Sequence, residues 1–318
     1  MRIEPRWSRE ALGFAVGVSF VCLAAMRDVY LGGLFQRVSP SAVALVAFGV
    51  CTGILLPAAL VRDGGARGAL QRRPGAILWV NVSSAIGWLS FLGSLRLIEP
   101  CLVQIFYFGV GPLSVVWIDR YVVRSMAPVT PTRAERPVFV GLLGSLVLAG
   151  IIATGGLSSM GAQPAAEAML GVGLAITGGV TMSVSTMQCR RLNDAGVRPG
   201  VLFALRYPLT TAAAGVLVLL SPAETGAPGW IGAVMGIAVL LILVPSYLNQ
   251  VAISLASPLT VRVVMASAPV IVFLLQAIDG RLSPSPYSLA AALLYGVFAA
   301  LAGFFRQRAI VTTKRIIA

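Results

Sequence analysis

The sequence predicts an all-α, polytopic membrane protein of ten transmembrane helices, built from two inverted five-helix repeats. Three observations predict it. Of 318 residues, 58% are hydrophobic and only 11% charged, outside the composition of a water-soluble domain. Apolar runs near the ~20 residues that cross a bilayer recur ten times along the chain. Short motifs then return at a single offset, dividing the chain into residues 1–156 and 157–318.

Cut at proline, glycine and charge clusters, the ten runs cover 11–35, 40–61, 75–97, 101–118, 137–155, 167–189, 200–221, 230–254, 259–278 and 286–305. The first follows a basic start (Arg2, Arg6, Arg9), as a signal peptide does, but exceeds the roughly 7–15 apolar residues of one. A retained first helix is expected. The other basic residues test the count, because short cytoplasmic loops keep Lys and Arg. With the N-terminus inside, the inner segments hold Arg62, Arg67, Arg72 and Arg73, then Arg120, Arg124, Arg133 and Arg136, then Arg190, Arg191 and Arg198, then Arg306, Arg308, Lys314 and Arg315. The outer loops hold only Arg37, Arg96 and Arg281. One helix more or fewer would move every later basic loop to the wrong side, so ten spans with both termini cytoplasmic are expected.

The repeat has an offset of 158 to 159 residues. Val38-Ser39-Pro40 before the second run returns as Val197-Arg198-Pro199 before the seventh, and Pro100 at the fourth returns as Pro258 at the ninth. Gly111-Pro112 corresponds to Ala268-Pro269 with a one-residue slip, and Gln104 to Arg262, each four residues after its proline. An odd number of helices per unit inserts the second copy upside down, the arrangement that alternating access uses.

Several function classes are disfavoured. The net charge of +13 comes from arginines lying between apolar runs and not on one soluble face, so no nucleic acid is expected. The chain has no His, and Cys22, Cys51, Cys101 and Cys189 stand singly, without metal or redox spacing. Neither an activated nucleophile nor paired carboxylates occur in the runs, so no enzyme, cofactor or metal is expected. The longest connection, Asp119 to Arg136, is too short for a nucleotide-binding domain.

Polar side chains at helical spacing mark faces that look away from lipid. The third run carries Asn81, Ser84 and Trp88; the fourth Gln104, Tyr107 and Ser114; the sixth Thr177, Thr181, Ser185 and Gln188; the eighth Tyr247, Gln250 and Ser254. Such groups also serve simply as interhelical glue, each worth ~0.6 kcal/mol. Charges carry more information, because an ion near the bilayer centre costs at least ~2.5 kcal/mol. Arg27 and Asp28 lie ~6–8 Å from the midplane of the first run at ~1.5 Å per residue. Sequence neighbours do not face each other on a helix, so each is expected to find a partner on another helix. Arg206 and Arg262 lie within about two turns of the cytoplasmic end, where a long side chain snorkels. Arg96 and Glu99, three apart at an outer end, read as an exposed pair of little weight.

These residues resemble the drug/metabolite transporter superfamily in its ten-helix EamA-like branch, whose halves each carry a Val-x-Pro entry to the second helix. The resemblance covers residues 10–306. Arg206 seven residues after Pro199, Ser94-Leu95 before the turn at Pro100, and Asp279-Gly280-Arg281-Leu282, similar to a Gly-Glu-x-Leu element, agree with it. Ala47, where Arg206 predicts an arginine, and Asp119-Arg120, in place of a glutamate turn, depart from it. The resemblance implies a secondary transporter with a cavity lined by helices 1, 3, 4, 6, 8 and 9, and helices 5 and 10 peripheral.

The expected partners are the lipid bilayer and a small-molecule solute, an amino acid or related zwitterion that is exported. Arg27 is expected to take its carboxylate, and Asp28 its amine or a proton. Trp88, Tyr107 and Tyr247 flank its apolar part, with Asn81, Ser84, Gln104, Thr181, Ser185, Gln250 and Arg262 as further contacts. Export of lipophilic cations or drugs is the alternative, and a membrane-embedded lipid-handling enzyme a further one. Gly296, Ala299, Ala300 and Gly303 have the small-xxx-small spacing that would permit a homodimer. With 23 arginines to one lysine, a GC-rich prokaryote and its inner (plasma) membrane are expected.

Overall fold

The computed structural model describes residues 9–62, 64–118, 133, 135–221, 231–255 and 264–317, and among them every regular element is helical. Proline opens six of the helices, where its fixed φ suits the first turn and its missing N–H is no loss. In chain order, α1 is Arg9–Leu34, and α2 (Pro40–Val50) runs through a π-helical turn (Cys51–Leu55) into α3 (Leu56–Arg62). Next come α4 (Gly64–Arg72), α5 (Pro74–Leu97), α6 (Pro100–Ile118), α7 (Glu135–Thr154) and α8 (Ala165–Asp194). The chain continues with α9 (Pro199–Leu205), α10 (Pro208–Leu220), α11 (Ile231–Leu255), α12 (Ala268–Asp279) and α13 (Pro286–Ile317).

Among the described residues, eight helical stretches are long and apolar enough to cross a membrane, and Pro100–Gly111 and Val264–Asp279 are shorter apolar helices. Ile54, Val61, Leu78, Val140, Leu219 and Ile278 are exposed. Lipid accommodates such a surface and water does not.

Four boundaries differ from the sequence reading. The second run contains the π turn. The seventh is broken between α9 and α10, because Pro208 lacks an N–H and its ring blocks the carbonyl four residues back. Part of the basic stretch after Arg62 forms α4, and the last helix runs on to Ile317. Most of the Asp119 to Arg136 connection and the start of the ninth run lie outside the described residues.

α5 packs along α8, and α1 along α11. Glycines decide how closely α5, α6 and α8 approach. A Cβ on Gly179 would stand 2.5 Å from the Tyr107 carbonyl oxygen, one on Gly178 3.2 Å from that of Gly87, and one on Gly171 2.7 Å from Ile98 Cγ2. Backbones therefore meet directly, as small residues permit in lipid. The expected dimer stripe on α13 is used within the chain: Ala299 and Gly303 are buried, and a Cβ on Gly296 would meet the Ala266 carbonyl.

The two ends of the molecule differ. At one, Ala66, Ala69, Ile77, Cys189, Leu192 and Val201 form an apolar cluster, beside which stand Arg62, Arg67, Arg72, Arg73, Arg190, Arg191 and Arg198. At the other, Gln36 donates to the Arg96 carbonyl at 3.2 Å and Arg281 Nη2 to the Val29 carbonyl at 2.9 Å.

Candidate functional site

Among the described residues, two buried arginines lie in the interior, Arg27 and Arg206. On α1, Arg27 is 5% exposed and Asp28 fully buried. Arg27 Nε donates to Asp28 Oδ1 at 2.7 Å. The pair is thus direct, against the expectation that neighbours on a helix stay apart: the long arginine stem folds back over the short carboxylate. In a low dielectric that attraction outweighs the rotamer entropy lost. Asp28 also finds its partner on another helix, accepting from Gln104 Nε2 of α6 through Oδ2. The Arg27 guanidinium lies 5.3 Å from the Trp88 ring centroid and 5.0 Å from that of Phe91, both on α5, a cation–π arrangement.

The second arginine is Arg206, at the break between α9 and α10, and it is 6% exposed. It does not snorkel. Its Nε donates to Ser84 Oγ at 2.8 Å and its Nη2 to Met182 Sδ at 2.6 Å, while Ser84 and Ser185 share a hydrogen bond of 2.8 Å. The guanidinium lies 5.7 Å from the Tyr207 ring centroid. Among the described residues, Arg206 has no carboxylate partner.

Asn81 explains why the break holds. Leu205 O and Leu209 N, four apart, would pair with each other in an unbroken helix. Here Asn81 Nδ2 donates to Leu205 O at 2.8 Å, and Asn81 Oδ1 accepts from Leu209 N at 3.3 Å. One carboxamide from α5 stands in for the missing backbone bond. Asn81 is therefore spent on the backbone.

Aromatic rings join the two arginines. Trp88 lies 5.2 Å from Phe48, Phe48 stacks on Tyr207 at 4.7 Å, and Phe91 lies 4.7 Å from Tyr107. Tyr247 meets this wall at its edge, 5.6 Å from Phe203, and is itself 45% exposed. Trp88 Nε1 and the Tyr207 hydroxyl approach each other without meeting hydrogen-bond geometry. Gln104 Oε1 and Gln250 Nε2 are also buried without a partner among the described residues.

Of the expected contacts, the structure brings Arg27, Asp28, Trp88 and Gln104 together, and Ser84 with Ser185. Tyr107 adjoins Phe91, and Thr181 donates to the Thr177 carbonyl of its own helix at 2.7 Å. Gln250 is buried on α11, and Arg262 lies outside the described residues. Sequence reasoning missed Arg206, whose signal was an arginine two residues before a proline in an apolar run. It also missed Glu99, which is 1% exposed. Glu99 accepts from Ser159 N at 2.8 Å, Ser159 Oγ at 2.9 Å, Ser288 Oγ at 2.7 Å and Gln276 Nε2 at 3.2 Å.

No protein-family model matches the chain, and no curated protein matches it. Nine chains of solved structures do. One of them, a crystal structure described only as that of a protein, superposes with a TM-score of 0.62 at 20% identity, over 95% of this chain and 100% of its own. At that identity the likeness is one of fold.

Proposed function

We propose that this chain is a secondary transporter of the drug/metabolite transporter type, with ten spans in two inverted repeats, exporting small zwitterionic metabolites by alternating access. Residues related by a two-fold axis can touch their own counterparts only at that axis. Thr52 and Thr211, 159 apart, share a hydrogen bond of 2.9 Å. Phe48 and Tyr207 (207 − 48 = 159) stack at 4.7 Å. A Cβ on Gly49 would approach Thr211, and one on Gly215 would approach Leu45, so α2 and α10 run antiparallel, which supports inversion.

Element pairing supports the same axis. α5 on α8 is answered by α11 on α1, α6 on α8 by α12 on α1, and α5 on α10 by α11 on α2. The arginines gathered at one end favour that end as cytoplasmic.

The observation that carries the function is Asp28, fully buried among the helices and held by two side chains, Arg27 and Gln104, with aromatic rings alongside. A carboxylate so placed is expensive unless it is used, and side-chain partners can be exchanged for an amine or a proton. The test is efflux of labelled leucine from proteoliposomes, with and without an imposed pH gradient. Asp28→Asn is expected to abolish it, and unchanged flux in that variant overturns the proposal. Drug resistance that depends on Asp28 but not on Arg27 would point to cation export instead.

A further inference from the structure

Resting on the transport reading, we infer that Arg206, and not Arg27, anchors the carboxylate of the carried solute, and that this solute bears a single negative group. The two arginines differ in compensation. Arg27 is bound to Asp28 at 2.7 Å, and a solute carboxylate arriving there would meet a neutral pair. Arg206 is as deeply buried, yet its Nη2 donates only to the Met182 thioether, a weak acceptor. Its Nη1 has no hydrogen-bond partner among the described residues.

An uncompensated guanidinium in an apolar interior is strongly unfavourable, and such a site is completed by an anion. Its polar neighbours are neutral hydroxyls, Ser84 among them, and none carries a negative charge. The hydroxyl of Tyr207, whose ring lies beside the guanidinium, is buried without a hydrogen-bond partner among the described residues. Met182, an unbranched side chain that can change rotamer, occupies with its sulfur the side of the guanidinium that a carboxylate oxygen would take. Among the described residues Arg206 is the one buried cation without a counter-charge, which favours a monoanion over a phosphate ester. The stacked Phe48 and Tyr207 rings suit an apolar remainder.

The test uses the full-length protein in detergent, with sodium benzoate as the monoanionic aromatic probe and benzamide as its neutral counterpart. Benzoate is expected to raise the melting temperature and benzamide not to. Arg206→Gln is expected to weaken the apparent benzoate affinity at least about tenfold, the scale of one charge-assisted hydrogen bond. Arg206→Lys is expected to stay within about threefold, since the charge remains. Ser84→Ala, which frees Arg206 Nε, supplies a second variant should Arg206→Gln fail to fold, and a change in benzoate affinity is expected there too.

The inference is overturned by no benzoate response in the native chain. It is also overturned by equal responses with benzamide, by affinity unchanged in Arg206→Gln or Ser84→Ala, or by loss confined to Arg27→Gln. Leucine flux without Arg206-dependent benzoate binding leaves transport standing and removes this site. Benzoate binding without flux does the reverse.

Discussion

Asp28 and Glu99 are both buried carboxylates, and they are held in opposite ways. Glu99 takes four hydrogen bonds from the α7–α8 link, α12 and α13, two of them from Ser159 alone. No charged group is among these partners. Asp28 has one cation and one amide, both on flexible stems. Burial by itself therefore does not mark a functional carboxylate. What separates the two is whether the partners are fixed by the fold or free to be replaced.

The strongest way to break this comparison is Glu99→Ala. Removing a shared acceptor strands buried donors on three elements, and a loss of about 4 kcal/mol is expected, read as a large fall in melting temperature in detergent. A chain that melts normally would mean that Glu99 ties nothing together.

Next in size is a double-mutant cycle on the first arginine. Arg27→Gln or Asp28→Asn alone is expected to destabilise by about 3 kcal/mol, because each strands a buried charge. The double variant is expected to lie within about 1 kcal/mol of the native chain while carrying no leucine. Additive losses would show that the two side chains do not act as a pair.

Asn81→Leu sharpens the contrast from the structural side. It removes the two bonds that bridge the break and a third to the Ile77 carbonyl and is expected to cost about 1–2 kcal/mol, with faster amide exchange at Leu209 of α10. Protection unchanged at that amide would mean the break is held by something else.

The smallest effect belongs to the pair on the proposed axis. Thr52→Val and Thr211→Val are each expected to cost about 0.6 kcal/mol, and the double no more than either, since one bond is shared. A double variant at twice the single loss would separate the two threonines.

Helix starts were the most legible part of the molecule in the sequence, because proline fixes them: Pro40, Pro74, Pro100, Pro199 and Pro286 all open helices. Charge inside an apolar run drew attention to Arg27 and Asp28, and the stripe on the fourth run to Gln104; the structure brings these three side chains together. The rest depended on side-chain paths that spacing does not encode. Arg206 could have reached either the headgroups or the interior from the same backbone position. Glu99 looked like half of a surface pair because Ser159, Ser288 and Gln276 are distant in sequence. Asn81 looked like a solute contact because Pro208, which creates its task, lies 127 residues on (208 − 81 = 127).

The carboxamide inserted between Leu205 and Leu209 has a mechanical consequence. Changing the angle between α9 and α10 requires torsion at Arg206 and Tyr207, and the ladder bond between Leu205 and Leu209 is already replaced by one side chain. α9 can stay seated on α3, α4 and α11 while α10 swings with α2 and α5. The two arms are 7 and 13 residues long, about 10 and 20 Å at the helical rise. A modest rotation at this universal joint is thereby levered into nearly twice the travel at the α10 tip.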